Sequence, residues 1–288
     1  MLLSRQEMTF DFGTARLSAE RDRALLGWIV NQFLYGEVTG IQCGHWLYEA
    51  PDLDAARFFS RQAVEEFQHV DNFLRILDLL GEAPAPPHRI VRFLSTGMMP
   101  ASFEEHVCLE MALGEGFVLM ALYAVIDTID HPGIREILER AVRQEERHVE
   151  FGERRTREAI ARHPALRRRL LGLSLVSTWA VRRLARFMRK RLPAGHPVLA
   201  QLPRFVEFAV DRSEVRLQRM GVAQIPPSRM SVSQKGAAVA LAYGRNLATA
   251  PLRLLPRKRL TETYLRDPSL RARVEAEAEK VVTRPPAA

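Results

Sequence analysis

Apolar residues recur at intervals of three and four along the first 160 residues, the spacing that aligns them on one face of an α-helix. Four stretches show this pattern, and proline or glycine residues separate them. Alternation of apolar and polar residues, which would indicate a strand, does not extend over any length of the sequence. The pattern therefore predicts an all-α fold, with helices at residues 18–49, 52–80, 102–129 and 133–162.

Residues that often cap helices stand at the start of the first three stretches. Ser18 is a candidate N-cap of the first helix, and Asp52 or Asp54 is a candidate for the second. Ser102-Phe-Glu-Glu105 matches a capping box, in which a serine and a glutamate satisfy backbone N–H groups at the start of a helix. These residues set the expected beginnings of the helices.

Residues 165–288 continue the helical pattern, but their charge differs from that of the first part. Residues 1–160 contain 16 Lys and Arg against 26 Asp and Glu, a balance of −10, and residues 161–288 contain 26 against 8, a balance of +18; together they give the net charge of +8. We expect a four-helix bundle at 1–164 and a basic helical extension at 165–288 that packs on it or next to it. The helices of the extension are expected at 165–192, 198–220, 231–248 and 268–282.

Two Glu-x-x-His motifs are the first candidates for chemistry, Glu66 to His69 and Glu145 to His148. Residues i and i+3 lie on the same face of a helix, so each motif directs a carboxylate and an imidazole to one point. The neighbouring residues on both faces are apolar, and a buried carboxylate is costly unless it is paired or bound to a metal ion. One such motif alone occurs often by chance.

The first and third predicted helices each contain an isolated acid in an apolar stretch, Glu37 and Glu115. Neither stretch has a basic residue close enough along the helix to pair with its acid. Glu110 is a rival to Glu115, and the two lie about 140° apart on a regular α-helix. Gly114 and Gly116 leave room around Glu115 and favour it, while Glu110 would then lie beside the ligands or serve in packing.

The four groups follow one another in the order Glu, Glu-x-x-His, Glu, Glu-x-x-His, with one group on each predicted helix. This order is the pattern of four-helix bundles that hold two metal ions with carboxylates and histidines. On this pattern, and on the stretch Gln144-Glu-Glu-Arg-His-Val-Glu-Phe-Gly-Glu153, the sequence resembles the ferritin-like di-iron carboxylate superfamily. It is most similar to aldehyde-deformylating oxygenases and rubrerythrin-like oxidases. The resemblance covers about residues 20–160.

The resemblance implies a ferritin-like four-helix bundle with additional C-terminal helices, holding two iron ions, with a manganese–iron pair as an alternative. It implies O2 as a co-substrate and the four glutamates as the catalytic carboxylates. The interval from Glu115 to Glu145 also matches the family better than that from Glu110. The implied metal ligands are Glu37 and His69 for one ion, Glu115 and His148 for the other, and the bridging residues Glu66 and Glu145.

At several positions this sequence differs from particular families of the superfamily, and these differences make those families less suitable as models of its function. Ribonucleotide reductase small subunits have a radical tyrosine where this chain has Phe73, and arylamine oxygenases have a third histidine where it has Ala141. Cys43 and Cys108 are too few for the rubredoxin domain of rubrerythrin, and they exclude a disulfide scaffold. Storage ferritins end near the fourth helix, whereas a long segment follows it here.

These features predict an O2-dependent di-iron oxidase or oxygenase, for example a monooxygenase. Its expected substrate is apolar, such as a fatty-acyl or other lipid-like molecule, and its electrons come from an external donor. The alternatives are an iron-handling protein with ferroxidase or peroxide-scavenging activity, and a hydroxylase of a quinone or a tRNA base. Gly36, Gly40 and Gly44 indicate either close helix packing or an access channel beside Glu37.

The basic segment 165–192 contains nine Arg or Lys and no acid among its apolar residues. We expect it to dock on the acidic first part or to meet an anionic membrane surface or an acidic carrier. No RNA-binding signature favours nucleic acid. The start of the chain lacks the features of a signal peptide, and residues 170–181 are too short to span a bilayer. A cytoplasmic protein is expected, with peripheral membrane contact as an option; the oligomeric state stays open, a homodimer being one option.

Overall fold

The computed structural model describes residues 1–97, 100–191 and 195–249, and over these residues the chain is helical without a strand. The predicted all-α fold is confirmed. An isolated parallel β-bridge joins Leu17 to Ile129. The helices are α1 (Arg5–Met8), α2 (Arg23–Gly40), α3 (Leu53–Leu80), α4 (Arg89–Arg92), α5 (Phe103–Glu105), α6 (Gly116–Thr128), α7 (Pro132–Arg162), α8 (Leu166–Arg191), α9 (Pro197–Ala200), α10 (Leu202–Arg219) and α11 (Val232–Thr249).

α2 begins at Arg23, so the predicted start at Ser18 is wrong. The backbone N–H of Leu17 donates to the carbonyl oxygen of Thr128 at 2.9 Å, and this bridge draws the chain just before Ser18 away from a helical path. The N–H of Ser18 then donates to the carboxylate of Asp22 at 2.8 Å. Asp22, rather than Ser18, occupies the N-cap position.

Asp22 also connects α2 to the extension. Its side chain is 7 % exposed and lies 3.2 Å from His196 Nε2, just before α9. Burial opposes ionisation of this carboxyl group, but hydrogen bonds from Arg21 and the Ser18 backbone, with the nearby His196 ring, outweigh it and lower the pKa of Asp22 to about 2. The carboxylate form of Asp22 is therefore part of the folded structure.

In the connection from α2 to α3, the end of α2 differs from the prediction, whereas the start of α3 agrees with it. α2 ends at Gly40, and the chain continues as a 3₁₀-helix over Ile41–Leu47, so the predicted helix 18–49 is divided in two. α3 begins as predicted, because Asp52 accepts a hydrogen bond from the N–H of Ala55 at 2.8 Å. Gly81 ends α3 with a φ of 64°, a conformation that favours glycine.

The third predicted helix changes its winding in the middle. Ser102 accepts a hydrogen bond from the N–H of Glu105 at 3.3 Å, as a capping serine should. The Glu105 carboxylate, however, accepts from the N–H of Ala101, so the capping box is only half present. Between α5 and α6 the backbone forms a π-helix, His106–Glu115, whose i→i+5 hydrogen bonds make each turn wider. Apolar periodicity did not predict this segment.

Apolar side chains of α2, α3, α6 and α7 form the main core, and residues of the N-terminal segment and α10 extend it. This burial is the largest favourable contribution to folding, at roughly 25 cal/mol for each Å² of apolar surface removed from water. The core places the polar faces of the two Glu-x-x-His motifs inside the molecule. Its fully buried members include Leu26, Phe73, Ile76, Leu119, Met120, Tyr123, Val142 and Val149.

The basic extension packs on the acidic first part through buried ion pairs. Arg216 of α10 is fully buried, and its Nε donates to the carboxylate of Glu153 on α7 at 2.8 Å. Arg169 of α8 forms an ion pair with Glu105. The helix predicted at 268–282 lies outside the described residues. One described stretch, Phe103–Thr128, is long and apolar enough to cross a membrane, and half of its most apolar part is buried within the fold.

Candidate metal centre

α3 and α7 direct the two Glu-x-x-His motifs into the interior, as the apolar neighbours of each motif predicted. Glu66 and Glu145 are each 3 % exposed, and His69 and His148 are fully buried. The i, i+3 spacing puts the carboxylate and the imidazole of each motif on one face of its helix. The two faces meet inside the core, so four potential metal ligands come together there.

Glu37 of α2 and Glu115, the last residue of the π-helix, complete the set. Glu37 is 6 % exposed, and the side chain of Glu115 is 22 % exposed. The ligand atoms form two groups, and within each group all of them lie within 4.8 Å of one another. The structure thus brings all six sequence-predicted residues together, and we call them the cluster. The first group is Glu37, Glu66, His69 and Glu145, and the second is Glu66, Glu115 and His148.

Both histidines turn Nδ1 toward the carboxylates. His69 Nδ1 lies 3.1 Å from Glu37 Oε2 and 3.0 Å from Glu145 Oε1. His148 Nδ1 lies 3.5 Å from Glu145 Oε2 and 3.6 Å from Glu66 Oε1. Glu145 therefore reaches both histidines with different oxygen atoms, and Glu66 belongs to both groups. These two glutamates lie between the two histidines, and each is within 3.7 Å of both Nδ1 atoms.

Two residues that the sequence reasoning missed hold the outer nitrogen atoms of the histidines. His148 Nε2 lies 2.8 Å from the carboxylate of Glu65, and His69 Nε2 lies 2.8 Å from the side-chain oxygen of Gln144. Since both partners are acceptors, each Nε2 carries the proton and each Nδ1 is left for a metal ion. Glu65 and Gln144 directly precede the glutamates of the two motifs, and each crosses to the histidine of the other motif. Their place directly before a motif glutamate was the feature of the sequence from which this role could have been predicted.

Gln62 is a third polar residue that the sequence reasoning missed. It is 2 % exposed and lies on α3, one turn before Glu66. Its side-chain nitrogen donates to Glu66 Oε1 at 3.2 Å and to Glu115 Oε1 at 3.0 Å. Gln62 therefore links a carboxylate shared by both groups to the most exposed one.

Several buried atoms of the cluster, and one of the neighbouring Gln62, have no hydrogen-bond partner among the described residues. They are Glu115 Oε2, Glu145 Oε2, His148 Nδ1 and Gln62 Oε1. Buried polar atoms in proteins almost always have partners, because an unsatisfied one costs about 1–3 kcal/mol. Here the unsatisfied atoms belong to neighbouring side chains of metal-ligating types. The arrangement therefore fits a group of ligands that a metal ion satisfies.

Burial and charge change the ionisation of the cluster. Burial, with repulsion from the neighbouring carboxylates, raises the pKa of Glu37 and of Glu115 well above the usual range. Burial disfavours the imidazolium forms, but the surrounding carboxylates outweigh it and raise the pKa of His69 and of His148. Protons or metal cations are thus needed to hold these groups together, and a metal ion that binds here releases protons.

Glu110, the rival to Glu115, lies outside both groups. His106 Nδ1 lies 2.5 Å from its carboxylate, and the His106 ring stacks on Trp46 with 4.5 Å between the ring centres. The estimate of 140° between Glu110 and Glu115 does not apply, since the backbone between them is π-helical. Residues five apart in a π-helix follow one another by about one turn. Glu110 is therefore separated from the cluster along the helix axis.

The predicted close packing along the glycines of the first helix is present at one position only. A Cβ atom at Gly40 would lie 2.8 Å from Glu66 Oε2, whereas no atom of the described residues lies within 4 Å of the corresponding positions at Gly36 and Gly44. The Glu66 carboxylate thus packs directly against the backbone at Gly40. The space beside the other two glycines is open.

Neither a protein-family model, nor a curated protein, nor a solved structure matches this chain.

Proposed function

We propose that this chain is a ferritin-like di-iron oxidoreductase that uses O2 to oxidise an organic substrate. In this proposal α2, α3, α7 and the π-helix with α6 are the four helices of the bundle. The observation that carries the proposal is the cluster, in which six ligand side chains converge from four helical segments. Some of its buried oxygen and nitrogen atoms have no partner in the part of the chain that the structure describes. Such convergence in the core of a helical protein is typical of di-metal carboxylate sites.

The donor set suits two divalent ions of iron or manganese. Four carboxylates and two neutral imidazoles carry a charge of −4, which two Fe(II) ions balance, and mixed oxygen and imidazole ligands suit iron and manganese. When bound, the metal pair supplies electrons and Lewis acidity for the reaction with O2. Glu37 and His69 would hold one ion, Glu115 and His148 the other, and Glu66 and Glu145 would bridge them.

Residues around the cluster orient the ligands and limit access. Glu65 and Gln144 fix the proton of each imidazole on Nε2. The near-complete burial of the other ligands excludes bulk water. Glu115 is the most exposed member of the cluster, so O2 and substrate would approach from its side, past the side chain of Gln62. The electrons for each turnover would come from an external donor.

An apolar substrate, fatty-acyl or otherwise lipid-like, is supported by the residues that surround the cluster. The ring of Phe58 packs edge-on against His148, with 5.9 Å between the ring centres. Phe73, one turn after His69, stacks with Phe33 at 5.7 Å. Aromatic walls of this kind favour a substrate without charge.

One observation favours a second candidate, an iron-handling protein with ferroxidase or peroxide-scavenging activity. The apolar cavity that Phe33 and Phe73 line, one turn from the cluster, has about 10 Å³ of free space. This is roughly enough for one water molecule. Oxidation of Fe(II) needs no pocket for an organic molecule beside the cluster, whereas an organic substrate at this place requires side chains to move.

Metal analysis after anaerobic loading with Fe(II) tests the proposal. The wild-type chain should bind about two irons, the number of ligand groups that the structure defines. Glu115→Ala should lose part of this iron, while Glu110→Ala, the matched control on the same π-helix, should keep it. Equal iron content in both variants, or less than one iron in the wild type, would contradict the central claim. Many irons per chain would instead indicate storage.

A further inference from the structure

No exposed residue of α11 is charged over 232–244, the part of this helix whose side chains the structure describes; Lys235, the charged residue of this range, is half-buried. The exposed residues are three large apolar ones, Val232, Leu241 and Tyr243, together with glycine, alanine, serine and glutamine. Val232 is 88 % exposed, Leu241 is 57 % exposed and Tyr243 is 39 % exposed. The solvent-facing side of a helix ordinarily carries charged residues, and exposed apolar patches mark contact with a partner or a membrane. The exposed face of α11 therefore has the composition of a contact surface.

α8 places an aromatic side chain beside this face. α11 crosses α8 at Gly172, where an added Cβ would overlap the backbone carbonyl of Ala238 and touch Ala242. Trp179 is seven residues farther along the same side of α8, a distance of about 10 Å. Its side chain is 57 % exposed. An exposed tryptophan thus lies on the side of α8 that faces α11.

Basic side chains continue the same side of α8. Arg183 and Arg186 follow Trp179 at i+4 and i+7, so the three residues form one stripe, and both arginines are exposed. Among the described residues neither arginine forms an ion pair, whereas Arg182 beside them pairs with Glu207 at 2.9 Å. The sequence contains no acid from residue 159 to residue 206. The stripe is therefore positively charged and free to meet an anionic partner.

We propose that this part of the extension binds the surface of an anionic lipid membrane. The uncharged face of α11 would enter the headgroup region, Trp179 would lie at the boundary of water and lipid, and the guanidinium groups would reach the phosphates. A nucleic-acid surface is polar and basic throughout, whereas α11 exposes Val232, Leu241 and Tyr243. We call this surface the lipid-binding face; it consists of Trp179, Arg183, Arg186, Val232, Leu241 and Tyr243.

Co-sedimentation of the full chain with lipid vesicles tests the proposal. The protein should bind vesicles of phosphatidylcholine with phosphatidylserine more tightly than vesicles of phosphatidylcholine alone, and added salt should weaken the binding. Arg183→Gln with Arg186→Gln should lower the partition coefficient roughly 30-fold, because each basic residue near an anionic surface strengthens binding. Arg140→Gln with Arg157→Gln removes the same charge from the exposed side of α7 and should leave binding nearly unchanged.

A second pair of variants tests the apolar contribution. Trp179→Ser with Leu241→Ser should weaken binding to anionic vesicles although the charge is unchanged. All the substituted side chains are at least partly exposed, so we expect every variant to keep its helices. Circular dichroism checks this.

Two results would overturn the lipid proposal. The first is absence of vesicle binding by the wild type, or the same loss in the α7 control as in the α8 variants. The second is binding to an oligonucleotide, but not to vesicles, that depends on Arg183 and Arg186; it would assign the face to nucleic acid. Glu115→Ala should bind vesicles like the wild type, so the lipid proposal and the proposed function fail or succeed separately.

Discussion

Gly40→Ala should weaken metal binding without weakening the fold. The new Cβ would lie 2.8 Å from Glu66 Oε2 and 3.0 Å from Glu66 Cδ, and the carboxylate must retreat by about 0.6 Å to reach an ordinary contact of 3.4 Å. Metal–ligand distances tolerate only about 0.2 Å of change. Because Glu66 belongs to both ligand groups, the retreat disturbs both metal positions. We expect affinity to fall by roughly 10- to 100-fold, as when residues that orient ligands are removed.

Gly36→Ala is the matched control for this prediction. It adds the same methyl group to the same helix, one turn earlier, where nothing lies within 4 Å of the new atom. Alanine is a better helix former than glycine by about 1 kcal/mol, so this variant, and in part Gly40→Ala, should resist urea at least as well as the wild type. Only Gly40→Ala should lose affinity.

The assay is a competition titration, in which the protein and a coloured chelator compete for Co(II) or for anaerobic Fe(II). Urea unfolding of each variant, without added metal, measures stability separately. Wild-type affinity in Gly40→Ala would refute the reasoning, since it would mean that the Glu66 carboxylate can move without consequence for the metal. An equal loss in Gly36→Ala would refute it too, because that loss could not come from contact with Glu66.

Three further predictions concern residues around the cluster and the connection to the extension. Glu65→Ala should lower metal affinity by roughly 10- to 100-fold in the same titration, and Glu65→Gln should restore most of it, because an amide oxygen already serves His69; equal losses would disprove the orienting role. Arg216→Met should lower the free energy of unfolding in urea by about 3–5 kcal/mol, because it removes the charged partner of the buried Glu153, whereas the exposed Arg219→Met should cost about 1 kcal/mol or less. Asp22→Asn should cost about 2 kcal/mol at pH 7; since the pKa of Asp22 is lowered to about 2, the wild type should lose this advantage as the pH falls from about 4 to 2, and a difference between the two proteins that does not change over that range would contradict it.

Local regularities of the sequence were sufficient for the fold class and for most of the ligand set. The i, i+3 spacing within Glu66–His69 and Glu145–His148 fixes the shared face of each pair whatever the helix packs against. The apolar neighbours on those faces predict burial, and the structure buries all four side chains. The start of α3 was predictable for the same reason, because Asp52 caps the helix through a contact three residues away.

Contacts between distant segments decided the rest. Ser18 has a good capping side chain, but the bridge between Leu17 and Ile129 moves the start of α2, and no local pattern contains that pairing. The choice between Glu110 and Glu115 depended on a π-helix that apolar periodicity does not distinguish from an α-helix. The first deciding interaction joins residues far apart in the sequence, and the second is a change in the winding of the backbone that the spacing of apolar residues does not specify.

Sequence alone thus determined that two Glu-x-x-His faces and two isolated acids belong to buried helices, because helical periodicity is a short-range property. Tertiary structure decided how those faces meet: Glu65 and Gln144 each cross to the histidine of the opposite motif, and Gly40 brings a backbone against Glu66. It also decided that Arg216 of the extension lies buried against α7. These arrangements depend on the packing of one helix on another, which brings together side chains separated by dozens of residues.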